Sequence, residues 1–259
     1  MPKETFQNIS LDRAEHTAVL TIKRPPLNVL NIATMNEMNN VLESLKDESG
    51  LRVMAITSEG EKAFCAGVDV QEHTKERVDE MIVTFNRLFS LLEDVQAVTI
   101  AGVKGAALGG GLEVAMVCDL ILAADNLKAG QPEIKLAVIA PVACAYMPRL
   151  IGLSRAKEIL LSGETVGADE ALRIGLVNRV VPLDRFDEEL ATHIKRFASN
   201  SAVGIRYTKK AIRIGLEQGY PKSLADIGEL YLRELMSTSD ASEGLSAFMK
   251  KRKPSYRDT

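Results

Sequence analysis

The chain has 259 residues, 46% of them hydrophobic and 26% charged, the balance of an ordinary water-soluble globular protein with room for one large domain or two small ones. A net charge of −3 argues against general nucleic-acid affinity, and the three histidines (His16, His73, His193) and three cysteines (Cys65, Cys118, Cys144) show no metal-ligand spacing and no histidine-based triad. With no basic-then-apolar signal at the start, and with the most apolar region (97–124) broken by Lys104, Glu113 and Asp119, the expectation is a cytoplasmic protein that spans no membrane and keeps its thiols reduced and buried.

Residues 17–23 read as a strand rich in β-branched side chains, which Arg24-Pro25-Pro26 ends because two prolines withdraw ladder donors. Thr34 is the expected N-cap of a helix with Met35, Met38, Leu42 and Leu45 on one face, stopped by Gly50. Residues 53–57 form a short, buried strand, followed by a polar loop (58–62) and a small-residue segment (63–69). Helical spacing of Val78, Ile82, Phe85, Leu88 and Leu92 predicts a helix over about 75–93. A strand at 98–103 then leads into Gly-Ala-Ala-Leu-Gly-Gly-Gly-Leu-Glu (105–113), the stretch the chain is organised around.

Its three consecutive glycines allow a tight turn and close approach of another molecule. They also leave free N–H groups at a helix start, where the dipole favours an anionic oxygen. Glu113 lies just inside that helix. A strand at 119–123 follows, and Gln131-Pro132-Glu133 opens the next segment. From residue 154 onward helices dominate, at roughly 154–162, 168–174, 184–199, 201–217, 221–236 and 240–252. Strands alternating with helices indicate an α/β chain, here a core over 1–200 and a helical part over 201–259 that packs against it.

Ala63-Phe64-Cys65-Ala66-Gly67-Val68-Asp69, Ala107-Leu108-Gly109-Gly110-Gly111-Leu112-Glu113 and Gln131-Pro132-Glu133-Ile134 resemble, in order and separation, the enoyl-CoA hydratase/isomerase (crotonase) superfamily. Pro26 to Leu30, Ala168 to Ala171 with Gly175 to Val177, and Glu243-Gly244 with Ala247 to Lys253 extend the resemblance over nearly the whole chain. It implies a spiral of ββα repeats, with C-terminal helices that support trimers and often hexamers. It also implies an acyl-CoA substrate whose thioester carbonyl is polarised by the backbone N–H groups of Val68 and Gly110. No metal or cofactor is expected, coenzyme A being part of the substrate.

In hydratases of the family, both positions matching Glu113 and Glu133 are glutamates that hold the water added across the double bond. Their expected roles here are Glu113 as water-activating base and Glu133 as proton donor to Cα. The resemblance further assigns Phe248 and Lys251 to the CoA nucleotide of a neighbouring subunit, a backbone carbonyl near Ala66 to the adenine, and Asp69 to the substrate-binding loop. After Glu133 the chain departs from the glycine-rich loop of ordinary hydratases, and Pro141, Val142, Cys144 and Tyr146 are expected to reshape the acyl pocket. With Arg24 to Leu30, this resembles the branch that hydrates cyclohexa-1,5-diene-1-carbonyl-CoA in the degradation of aromatic compounds. The alternatives are another reaction of the family, such as isomerisation or thioester hydrolysis, and an RNA-binding homologue, which the acidic balance disfavours.

Overall fold

The computed structural model describes residues 6–259. The strands form two sheets. The first has strand order β1 (Ile9–Ala14), β2 (Thr17–Ile22), β3 (Val53–Ser58), β5 (Val98–Val103), β7 (Leu120–Ala124) and β10 (Arg179–Val181); only the β1–β2 pair is antiparallel. The second has order β4 (Ala63–Cys65), β6 (Ala106–Leu108), β8 (Lys128–Gly130) and β9 (Thr165–Gly167), with only the β8–β9 pair antiparallel.

Each of three successive turns of chain gives one strand to each sheet and then a helical segment. The turns are β3–β4 with α2 (Val78–Asp94), β5–β6 with α3 (Gly110–Val117), and β7–β8 with a 3-10 turn (Pro132–Leu136) and α4 (Pro141–Ile151). This is the ββα spiral that the resemblance implies.

The short apolar runs are buried on both faces. In β3, Met54 and Ile56 join the main core, while Val53 and Ala55 face α7 (Phe186–Ala198) through Phe186 and Leu190. A parallel sheet covered on both sides needs continuous apolar strands, and β3, β5 and β7 have them.

α1 (Ile32–Leu45) begins earlier than expected: the N-cap is Asn31, whose side chain accepts from the Thr34 N–H, and the helix ends before Gly50. α4 and β1 were not foreseen. α5 (Leu153–Ser162), α6 (Ala168–Arg173) and α8 (Ala202–Glu217) agree with the expected helices to within two residues. The expected 221–236 helix is α9 (Tyr220–Glu229), which widens into a π turn (Leu230–Glu234) and closes as a 3-10 turn (Leu235–Ser237) before α10 (Ser239–Met249).

The C-terminal helices are fastened to the core by the end of the chain. Buried Arg52 donates to Asp258 at 2.8 Å and to the Ala198 carbonyl at 3.1 Å, and Asp258 also accepts the Ala202 N–H at 2.8 Å. Cys65 and Cys118 are buried as expected, but Cys144 is exposed, because α4 turns it away from the core. No helix among the described residues is long and apolar enough to cross a membrane.

Candidate active site

Strands β4, β6 and β8 are adjacent and parallel, with Cys65 opposite Ala107 and Leu108 opposite Gly130; the β4–β6 register shifts once, between Ala63 and Cys65. Their C-terminal ends therefore stand side by side, about 4.8 Å apart per strand. Immediately beyond those ends come Ala66 to Asp69, Gly109 to Glu113 and Gln131 to Glu133. Three segments distant in sequence thus meet at one sheet edge.

Gly109 caps the N-terminus of α3 at φ +53, a left-handed backbone that favours glycine. A Cβ there would collide with Glu133 Oε1, so the Glu133 carboxylate lies directly against the glycine turn. A Cβ on Gly110 would stand 2.8 Å from Val68 Cγ2, and one on Gly67 would stand 3.9 Å from the Gly110 nitrogen. The Val68 and Gly110 peptides are therefore neighbours. Neither N–H donates to any described residue, although the backbone around both is otherwise hydrogen-bonded.

Glu113 is 1% exposed. Its Oε1 accepts the Ala143 N–H at 2.7 Å, so it satisfies the first turn of α4, which starts at Ala140-Pro141 with no cap of its own. Burial, reinforced by the charge of Glu133, pushes its carboxyl up to about 7 against the pull of the Ala143 and Val142 N–H groups. Glu133 is half-buried; burial raises its carboxyl, while its own backbone N–H and the His73 imidazole lower it. Gln131, itself 1% exposed, has its amide nitrogen 3.1 and 3.3 Å from the two Glu133 oxygens when the amide is turned to donate to them. Sequence reading placed Gln131 in the motif but gave it no task. The signal was its spacing: two residues before Glu133, directly after the last residue of β8.

The remaining expected site residues divide. Pro141 and Val142 stand beside Glu113 at the start of α4. Tyr146 does not: it is half-buried against the main core, and the charges acting on its hydroxyl are Glu93, Asp119 and Arg149, which lie toward the far end of α3. One helical turn beyond Val142, it has moved along α4 away from the carboxylates. The Asp69 carboxylate accepts the Gln71 N–H at 3.1 Å and caps the short 3-10 turn Val70–Glu72. Ala66, half-buried, donates its N–H to the Leu27 carbonyl at 2.9 Å. Phe248, 84% exposed, and Lys251, exposed with a left-handed backbone at φ +51, lie at the C-terminal end of the chain, and no contact joins them to the glutamates.

The family model for enoyl-CoA hydratase/isomerase matches residues 12–259. The chain belongs to the enoyl-CoA hydratase/isomerase family. Among its relatives, the short-chain-enoyl-CoA hydratase of Clostridium acetobutylicum is 36% identical over 96% of this chain and 97% of that protein. The crotonyl-CoA hydratase of Syntrophomonas wolfei is 34% identical over 97% and 98%. The crystal structure of an enoyl-CoA hydratase from Bacillus anthracis superposes with a TM-score of 0.93 at 34% identity, covering 98% of this chain and 100% of that one. The spiral core and the helical C-terminal region are thus those of the crotonase superfamily.

Proposed function

We propose that this chain, a hydro-lyase of the enoyl-CoA hydratase type, adds water across the double bond of a cyclic dienoyl thioester, cyclohexa-1,5-diene-1-carbonyl-CoA. The observation that carries the hydratase reading is the pair of carboxylates, buried Glu113 and half-buried Glu133, beside two adjacent unspent N–H groups. Attack of water at Cβ moves negative charge onto the thioester oxygen. The Val68 and Gly110 N–H groups, one at a helix N-terminus, are preorganised to receive it; losing one such donor typically costs about 3–4 kcal/mol of barrier.

The water oxygen bonds to Cβ, one water proton passes to a carboxylate, and Cα takes a proton from the other carboxyl as the enolate electrons return. One proton shared by the two acids suffices. The assignment from sequence has Glu113 ionised and Glu133 protonated. Deeper burial favours the neutral form of Glu113 in the free enzyme, so the pair is better treated as one acid–base unit with one proton than as two fixed roles.

The ring reading rests on Pro141 and Val142, which put a rigid helix start next to Glu113 where ordinary hydratases carry small residues. A linear crotonyl thioester would sit loosely against that wall, and misplacement by about 1 Å costs on the order of 10²-fold in rate. The kcat/KM for the cyclic diene is expected to exceed that for crotonyl-CoA by about tenfold or more, a gap of about 1.4 kcal/mol. Efficient turnover of crotonyl-CoA with none of the cyclic diene would remove the ring and leave the hydratase.

Self-association fits the same reading. Leu216, Tyr220, Leu232, Phe248 and Met249 are each more than 65% exposed on the C-terminal helices, an apolar surface of the kind that packs against another subunit. Assembly would offer Phe248 and Lys251 to a neighbour's coenzyme A. The protein would then act in the cytoplasm as a trimer or hexamer on a soluble substrate.

A further inference from the structure

The segment 24–30 supplies no group to the proposed reaction, yet it holds the loop that carries Val68. Asn28 is fully buried, with its backbone left-handed at φ +50. Its amide is used on three sides. Oδ1 accepts the Arg24 N–H at 2.9 Å, and Nδ2 donates to the Glu59 carbonyl at 3.0 Å and the Ala63 carbonyl at 2.8 Å. The 24–28 turn is therefore clamped to both ends of the loop between β3 and β4.

On either side of Asn28, main-chain bonds reach the Val68 loop. The Leu27 carbonyl accepts the Ala66 N–H at 2.9 Å, the Leu30 N–H donates to the Gly67 carbonyl at 2.9 Å, and the Leu30 carbonyl accepts the Asp69 N–H at 2.8 Å. These bonds fix the residues before and after Val68 and leave its own N–H unspent.

We propose that Asn28 is a positioning residue of the oxyanion hole: it sets the direction of the Val68 N–H through the turn it clamps. This rests on the reading of Val68 and Gly110 as donors to the thioester carbonyl. Two donors polarise one oxygen only if both point at it. Asparagine suits the position because it tolerates a left-handed backbone and supplies one acceptor and two donor hydrogens from a single planar group. Aspartate can accept from Arg24 but cannot donate to the two carbonyls. Glycine keeps the backbone and loses all three bonds.

The test compares Asn28→Gly and Asn28→Asp with Asn39→Ala as a structural control. Asn39 is likewise buried, but it donates to the Thr84 carbonyl at 3.1 Å between α1 and α2. Each protein is titrated with a conjugated aryl enoyl-CoA, whose absorption band moves to the red when its carbonyl is polarised, and kcat and KM are measured for hydration. Wild type is expected to show the red shift and Asn39→Ala to keep it at a lower Tm. The Asn28 variants should bind the probe with little change in affinity, lose most of the shift and fall in kcat by about 10- to 100-fold. A full shift and full kcat in folded Asn28 variants would overturn the proposal. So would failure of both variants to fold, which would make Asn28 a folding residue. A wild type that binds the probe without any shift would instead remove the underlying oxyanion reading.

Discussion

Replacing Glu113 by glutamine should make the protein more stable and nearly inactive. The carboxyl is 1% exposed and lifted from 4.5 to about 7, by burial first and by Glu133 second. A folded-state value above the unfolded one means the fold is unburdened below about pH 4.5, where both states are protonated. It loses stability as pH rises through 7, because the unfolded chain releases the proton more readily. At 1.4 kcal/mol per unit the full cost is about 3 kcal/mol at pH 8.5 and about 1 kcal/mol at pH 5. Glutamine never ionises, and its carbonyl oxygen can still accept the Ala143 N–H that begins α4. Urea unfolding of wild type and Glu113→Gln at pH 5 and 8.5, at one protein concentration, reads the difference directly. The stability gain of the variant should grow by about 2 kcal/mol between the two pH values. Hydration, followed by loss of enoyl-thioester absorbance, should fall by about 10²-fold or more. A gain that does not grow with pH would mean that Glu113 is not a buried charge. Near-normal hydration by the folded variant would refute the acid–base role outright.

Gly109→Ala should lower kcat while leaving most of the fold, since the new Cβ would push against Glu133 Oε1; an alanine at φ +53, ψ −131 adds about 1–3 kcal/mol of backbone strain, seen as a lower Tm. Activity at the wild-type level would show that Glu133 moves without consequence. Buried His193 on α7 has its imidazole lowered from the ordinary 6.5 by burial first, then by Arg179 and Arg196, so the stability it contributes is complete above about pH 6.5 and is lost as pH falls below that. A Tm series from pH 8 to 5 should fall less steeply in His193→Phe than in wild type, and parallel curves would rule the histidine out as a source of acid sensitivity.

What could be read from the sequence follows from how local each feature is. β3, β5 and β7 announced themselves as apolar runs because the sheet is covered on both faces. β1 did not: it is an edge strand whose second half, Asp12 to Ala14, is exposed. α4 was hidden for a different reason. It contains two prolines, has no capping side chain before it, and takes its cap from Glu113 on another helix, a contact no local pattern reveals. Thr34 was mistaken for the cap that Asn31 provides because both polar groups belong to one interaction: Asn31 Oδ1 accepts from the Thr34 N–H at 2.9 Å and from its hydroxyl at 2.7 Å. The two glutamates and the glycine turn were legible as a motif. Gln131 and Asn28 were legible only as letters within motifs, since what they do depends on carbonyls and carboxylates contributed by other segments.

The order of the second sheet explains why one site can be assembled from three repeats. Each repeat ends its second strand at the same edge, so β4 delivers an N–H donor, β6 a donor and a carboxylate, and β8 a carboxylate. On the proposed reading, the thioester oxygen must lie over the β4–β6 pair and the reacting double bond over the β6–β8 pair. On that reading the middle segment, 109–113, has to serve both, with Gly110 directed to the carbonyl and Glu113 one turn deeper toward the water, and of the three segments it alone opens an α-helix. Its neighbours are each held from outside the sheet: the β4 loop by Asn28 and the main chain of 27–30, and Glu133 by the Gln131 amide. The third wall is the start of α4, held by Glu113 itself. On the same reading, a change in the acyl slot made at Pro141 or Val142 acts on the Glu113 carboxylate through the start of α4, which couples substrate shape to acid–base strength.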